Sequence, residues 1–157
     1  MVNVIKIGGR QVGPGHPCFI IAEAGVNHNG DIDLAKRLVD VAREANADAV
    51  KFQTFVTEEN VSVHSELAEY QSQNIGPAEG GQLEMLKALE LSKDEFRELK
   101  RHCDLRGIEF LSTPDDEGSV DFLVDLGVRH IKIASAEVTN LPFLKVVARR
   151  GVPMIVS

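Results

Sequence analysis

Ile20-Ile21-Ala22-Glu23-Ala24-Gly25-Val26-Asn27-His28-Asn29-Gly30-Asp31 opens as an apolar strand and closes on a turn crowded with polar and acidic groups. Delivering Glu, Asn and His to the end of an apolar run costs desolvation unless those groups bind or react with something. The design returns at Ala49–Thr54, Ile108–Thr113, His130–Ala134 and Pro153–Ser157, short apolar runs that lead into Lys, Gln, Thr, Ser or Glu. Segments of helical period separate them. Leu34, Leu38, Val41, Ala42 and Ala45 give one apolar face between Asp33 and Ala45. Phe96, Leu99 and Cys103 give another behind the capping box Ser92-Lys93-Asp94-Glu95. Val120, Leu123 and Val124 mark a third helix, and Pro142 suits the first turn of a fourth that reaches Arg149. The stop glycines Gly107, Gly127 and Gly151 lie 20 and 24 positions apart, the length of one βα unit. Alternation of this kind makes a parallel sheet with helices outside.

Working outward, residues 3–12 read as two short strands about Gly8-Gly9, a hairpin signal, and Gly13-Pro14-Gly15 breaks the chain before the first barrel strand. Residues 1–18 are thus hairpin and lead-in. Residues 56–81 are polar and read as a long loop with some short helix, and a helix is expected over Gln82–Leu89. The fold class is α/β: a partial TIM (β/α)8 barrel of about five parallel strands, preceded by a β-hairpin. A full barrel takes about 250 residues. The 157 residues are therefore expected to be the amino-terminal portion of a barrel domain, a truncated product whose last apolar strand is a bare edge.

With 43% hydrophobic residues the chain can bury one core, and a net charge of −7 argues against broad binding to nucleic acid or anionic membrane. No run approaches the roughly 20 apolar residues of a membrane helix. Cys18 and Cys103 make neither a disulfide framework nor a zinc site, and Cys103 reads as a small core residue. A reducing, cytoplasmic setting is expected.

In parallel α/β folds ligands lie at the carboxyl ends of the strands. Those ends carry Glu23 and Asn27, then Lys51, Gln53 and Thr54, then Ser112 and Thr113, then Lys132, Ser135 and Glu137, and last Ser157. Strand alternation puts Lys51 and Gln53 on one face with Phe52 opposite. Two lysines on separate strands with several hydroxyls suit a phosphate or carboxylate. Glu23 and Glu137 then serve as acid, base or metal-associated carboxylates. A plainer reading stands beside this one. A strand lysine can snorkel or pair with Glu23, Asn29-Gly30 can be turn chemistry, and the serines can cap loops or helices. His28 reads as a hydrogen-bonded loop residue, or as a metal ligand with no second ligand in view. The common location of all these groups favours a site.

Ile21-Ala22-Glu23-Ala24-Gly25-Val26-Asn27-His28-Asn29-Gly30, Val50-Lys51-Phe52-Gln53-Thr54-Phe55, Ser112-Thr113-Pro114 and Lys132-Ile133-Ala134-Ser135-Ala136-Glu137 resemble the sialic acid synthase family. Glu84-Met85-Leu86-Lys87 and Leu89-Glu90-Leu91-Ser92 look like that family's helix entry, so the likeness runs in order over nearly the whole chain. The resemblance implies condensation of phosphoenolpyruvate with an N-acetylated amino sugar such as N-acetylmannosamine, releasing phosphate and forming a nine-carbon acidic sugar. It also implies a (β/α)8 barrel, a divalent metal (manganese or magnesium), a small antifreeze-like domain after the barrel, and a homodimer. Carried over by position, Lys51, Thr113, Lys132, Ser135 and Ser157 look like contacts to phosphoenolpyruvate. Gln53, Glu137 and Asn27 look like groups that reach the sugar, and Glu23 and Glu137 like the catalytic carboxylates. The family's metal ligands are two histidines on later strands, and neither His102 nor His130 matches them, so this chain is expected to hold no metal and to be inactive alone. Ala136 stands where many members have Gly, and Thr139-Asn140-Leu141-Pro142 leans toward the neuraminate or legionaminate branches. Two other readings are a non-catalytic half-barrel that binds an anionic sugar or pairs with a second copy, and another phosphoenolpyruvate-dependent synthase of seven- or eight-carbon keto acids. The Asn27-His28-Asn29-Gly30 turn speaks against the second.

Overall fold

The computed structural model describes residues 3–60 and 81–157. Strands β1 (Ile5–Ile7) and β2 (Arg10–Val12) form the expected antiparallel hairpin, with Ile5 opposite Val12 and Ile7 opposite Arg10. Its turn is Gly8 at φ 55° and Gly9 at φ 87°, two successive left-handed residues that match the twist of the strands and that side chains resist. Then follow β3 (Ile21–Gly25), α1 (Ile32–Glu44), β4 (Ala49–Thr54) and a single turn α2 (Thr57–Asn60). The rest of the polar stretch, 61–80, lies outside the described residues. The chain continues through α3 (Gly81–Lys87), α4 (Lys93–Arg106), β5 (Glu109–Pro114) and α5 (Glu117–Asp125). It closes with β6 (Ile131–Ile133), a 3-10 turn (Ser135–Glu137), α6 (Leu141–Arg149) and β7 (Met154–Val156).

All pairings after the hairpin are parallel. Glu23 sits opposite Lys51 and Lys51 opposite Leu111, while Lys132 sits opposite Ile155. β5 runs beside β6, so each strand neighbours the next in sequence. A doubly wound sheet would reverse order at a switch point, whereas a monotonic order is the wall of a barrel. The fold is the partial α/β barrel anticipated above.

The core lies between the outer face of that wall and the helices. Val50, Phe52, Phe110, Ile131 and Ile133 meet Val39, Phe96, Leu99, Leu123 and Val147, and the Phe52 and Phe110 rings stack at 5.9 Å. Ser92 and Glu95 close the expected capping box, and Gly107 ends α4 in the left-handed conformation. Cys103 is fully buried. The α1 face needs correction. Ala35, Val39 and Ala42 are buried, Leu34 and Leu38 only partly, and Val41 is 59% exposed, with Ala45 exposed beyond it. A stripe of small side chains lets α1 approach the sheet closely, which leaves the leucines on its flank and turns Val41 to water. The α3 helix also stops at Lys87, two residues short of the expected Leu89.

The hairpin closes the amino-terminal end of the strands. Ile7 is buried, His130 Nε2 donates to the Lys6 carbonyl (3.1 Å), and Arg10 pairs with Asp48. Beneath Gly8 the nearly buried carboxylate of Glu109 pairs with Arg129. With this end occupied, the carboxyl ends remain for chemistry. Among the described residues, no helix is long and apolar enough to cross a membrane.

Candidate active site

The alternation of β4 sends Val50, Phe52 and Thr54 to the helices and leaves Lys51 and Gln53 on the barrel side. Lys51, whose side chain is 12% exposed, places Nζ 2.6 Å from Glu23 Oε2 and 3.4 Å from Thr113 Oγ1. Three adjacent strands therefore converge Glu23, Lys51 and Thr113. On the next pair, Lys132 Nζ donates to Ser157 Oγ (2.6 Å) and to the Ile133 carbonyl (2.5 Å). Burial lowers the pKa of Lys132, the positive charge of Lys51 lowers it further, and Glu23 partly offsets both. The two ammonium groups thus feel each other, and an anion between them would relieve the repulsion.

Gln53 and Glu137 line a cavity of about 660 Å³ that reaches α3 and also takes in Asp115, Ala134 and Ala136. Asn140 Nδ2 donates to Glu137 Oε2 (2.7 Å) while its Oδ1 accepts the Phe143 N–H (3.3 Å) as the cap of α6. Asp116 works similarly. Buried at the start of α5, it accepts Ser119 N–H (2.6 Å) and Val56 N–H (2.9 Å), tying the segment after β4 to the helix.

Three residues lie elsewhere. Asn27 lines an adjoining cavity of about 460 Å³ with Asn29 and Met85. Ser112 faces the helices, its hydroxyl 2.7 Å from that of Thr54, and is buried there. His28 is 1% exposed, its ring 6.1 Å from Phe52 and its Nδ1 accepting the Gly30 N–H at 3.1 Å. Burial lowers its pKa against the pull of Glu95 and Asp31, so it is a neutral loop anchor behind the wall. Ser135 stays exposed on the 3-10 turn.

Sequence reasoning does not single out Asp115, Asp116 or Asn140 as site residues. Pro114-Asp115-Asp116-Glu117 reads as a turn and a helix cap. A cap needs one aspartate, and the second was the available signal. Burial, and then the charges of Asp116 and Glu137, push the Asp115 carboxyl up to about 6, with Lys51 pulling it back.

The divalent metal implied by the resemblance finds no fitting donor set here. Among the described residues no group of three or more His, Cys, Asp or Glu converges. His102 pairs with Asp40 between α1 and α4 (2.8 Å), and His130 serves the hairpin.

Residues 38–157 match the NeuB family. The chain is 52% identical over 156 residues to N,N'-diacetyllegionaminic acid synthase of Legionella pneumophila, covering 99% of this chain and 42% of that protein. It is 41% identical over 149 residues to the human N-acetylneuraminate-9-phosphate synthase, covering 95% and 41%. The crystal structure of N-acetylneuraminic acid (sialic acid) synthetase from Leptospira borgpetersenii, in complex with citrate, superposes with a TM-score of 0.79 at 33% identity, over 98% of this chain and 49% of that one. The chain spans about two fifths of the length of the curated relatives it matches.

Proposed function

We propose that this chain, which belongs to the NeuB family, carries the phosphoenolpyruvate-binding part of a nonulosonate synthase active site. The observation that carries the proposal is the facing of Lys51 and Lys132 at the strand ends, each already on a hydroxyl, with Lys132 destabilised as a cation. Phosphate and carboxylate oxygens suit that arrangement, and the hydroxyls of Thr113, Ser135 and Ser157 add neutral donors.

In the reaction, C3 of phosphoenolpyruvate bonds to the aldehyde carbon of an open-chain N-acetylated amino sugar. Water then adds at C2, and the tetrahedral centre expels phosphate. Lys51 and Lys132 stabilise charge as it gathers on the departing phosphate. Glu23, 58% exposed and held by Lys51 through one oxygen, exchanges the proton that the aldehyde oxygen takes up. Gln53 and Glu137 hold the sugar in their shared cavity, and Asn27 reaches it from the adjoining one. The described residues supply no set of donors for a metal ion. The groups described here grip phosphoenolpyruvate without completing the catalytic set, so the 157 residues alone bind it but do not turn over. A cytoplasmic setting and a homodimer belong to the same proposal.

Calorimetric titration with phosphoenolpyruvate tests it. Lys51→Ala and Lys132→Ala should each weaken binding by tenfold or more, and unchanged affinity in both would sink the assignment.

A further inference from the structure

The pairing of β3 with β4 skips a residue: Glu23 sits opposite Lys51 and Gly25 opposite Phe52, so Ala24 forms a bulge. A bulge re-aims the side chains beside it, and this one stands where Glu23 meets Lys51 at 2.6 Å. The turn that follows closes on the bulge. The Asn27 N–H donates to the Ala24 carbonyl (3.0 Å), the Asn29 N–H to Val26 (3.0 Å) and the Asp31 N–H to His28 (2.9 Å). Gly25, Asn29 and Gly30 are left-handed, at φ 53°, 51° and 73°, and a Cβ on Gly25 would lie 3.5 Å from Glu23 Oε1. A left-handed Asn is disfavoured, so the turn needs an anchor.

The His28 ring lies under it, buried and tilted against Phe52 of β4, and its Nδ1 accepts the Gly30 N–H. Nδ1 therefore carries no proton. The proton sits on Nε2, which is buried without a hydrogen-bond partner among the described residues. An apolar side chain would fill this space without an orphaned donor, so the ring is kept for its acceptor. The charged groups that act on it are Glu95 at the start of α4 and Asp31 at the start of α1. Both favour a second proton, and burial opposes it more strongly. A proton on Nδ1 would face the Gly30 N–H and turn the bond into a repulsion. We propose that His28 is a positioning residue whose unprotonated Nδ1 locks the 25–31 turn, so that the bulge holds Glu23 on Lys51, and that a protonated ring opens the lock. The inference rests on the synthase reading only for the use made of Glu23.

NMR on the unliganded chain tests it. The imidazole should be the Nε2–H tautomer. Protection of the Gly30 amide, corrected for the intrinsic exchange rate, should be constant above about pH 6.5, the ordinary histidine value. Below that it should fall by up to tenfold per pH unit, the slope of one proton taken up on opening, and the Glu23 carboxyl carbon should shift with it. His28→Asn puts an amide oxygen near the place of Nδ1 and should keep the protection without the slope. His28→Leu should lose at least tenfold in protection at pH 7.5. An Nδ1–H tautomer, a slope equal in wild type and His28→Asn, or a Glu23 carbon that shifts alike in both overturns the inference, and none of these requires His28→Leu to fold. With no ligand present, a failure of the phosphoenolpyruvate titration above removes the catalytic use of Glu23 and leaves the lock standing.

Discussion

Replacing Asp115 by Asn should stabilise the protein, and only above acidic pH. The folded-state pKa of Asp115 is raised from 3.8 to about 6, with burial the largest cause. That rise is about two pH units at ~1.4 kcal/mol each, so holding the ionised carboxyl in the folded state costs ~3 kcal/mol. Between those two values the native state binds more protons than the unfolded state, so stability falls as pH rises from about 4 to 6 and is flat beyond. The amide that replaces the carboxyl in the variant does not titrate. The two proteins should therefore differ little at pH 4 and by ~2–3 kcal/mol at pH 7.5, the variant being more stable. Urea unfolding followed by far-ultraviolet circular dichroism measures this, since the chain has no tryptophan to report. Taking the difference between the two proteins cancels the titration of every group they share. A difference that does not change with pH, or a variant less stable at pH 7.5, would refute the reasoning, because the carboxylate would then be solvated or paired.

Other perturbations follow from the same geometry. Arg129→Ala leaves the Glu109 carboxylate, 6% exposed, without its partner and should cost about 3 kcal/mol in urea unfolding. Arg129→Met combined with Glu109→Gln should recover most of it. Gly30→Ala combines a φ of 73° with a Cβ driven into the Ala88 carbonyl, and should lower stability by roughly 2–4 kcal/mol in a thermal melt. Of the two cysteines, Cys18 is exposed and Cys103 is buried with its thiol pushed up to about 12. A thiol reagent at pH 8 should therefore titrate one group quickly in the native protein and the second only on unfolding.

The order of elements was legible because each boundary has a local physical cause: left-handed glycines at Gly8-Gly9 and Gly107, and the reciprocal bonds of Ser92 and Glu95. The placing of Lys51 and Gln53 opposite Phe52 follows from the alternation of a strand and holds. Facing was harder where both sides of an element are buried. β5 is buried along its whole length, so nothing in its pattern separates Thr113, beside Lys51, from Ser112, which faces the helices. On α1 the expected face of Leu34, Leu38, Val41, Ala42 and Ala45 shares only Ala42 with the buried stripe of Ala35, Val39 and Ala42, because the leucines, the largest apolar side chains, sit on the flank of the contact. The floor pairs Arg10–Asp48 and Arg129–Glu109 join residues distant in sequence, so no local window reveals them. Asp115 was hidden by its neighbour, because a helix cap already accounts for one aspartate after Pro114.

The most direct test of the central claim follows the Lys132 ammonium by NMR as phosphoenolpyruvate is added. In the unliganded protein its pKa lies below the ordinary lysine value, lowered by burial and by Lys51. An anion seated between the two lysines favours the charged form, so the pKa of Lys132 should rise on binding and the rise should vanish in Lys51→Ala. A Lys132 pKa unmoved by saturating phosphoenolpyruvate would contradict the account.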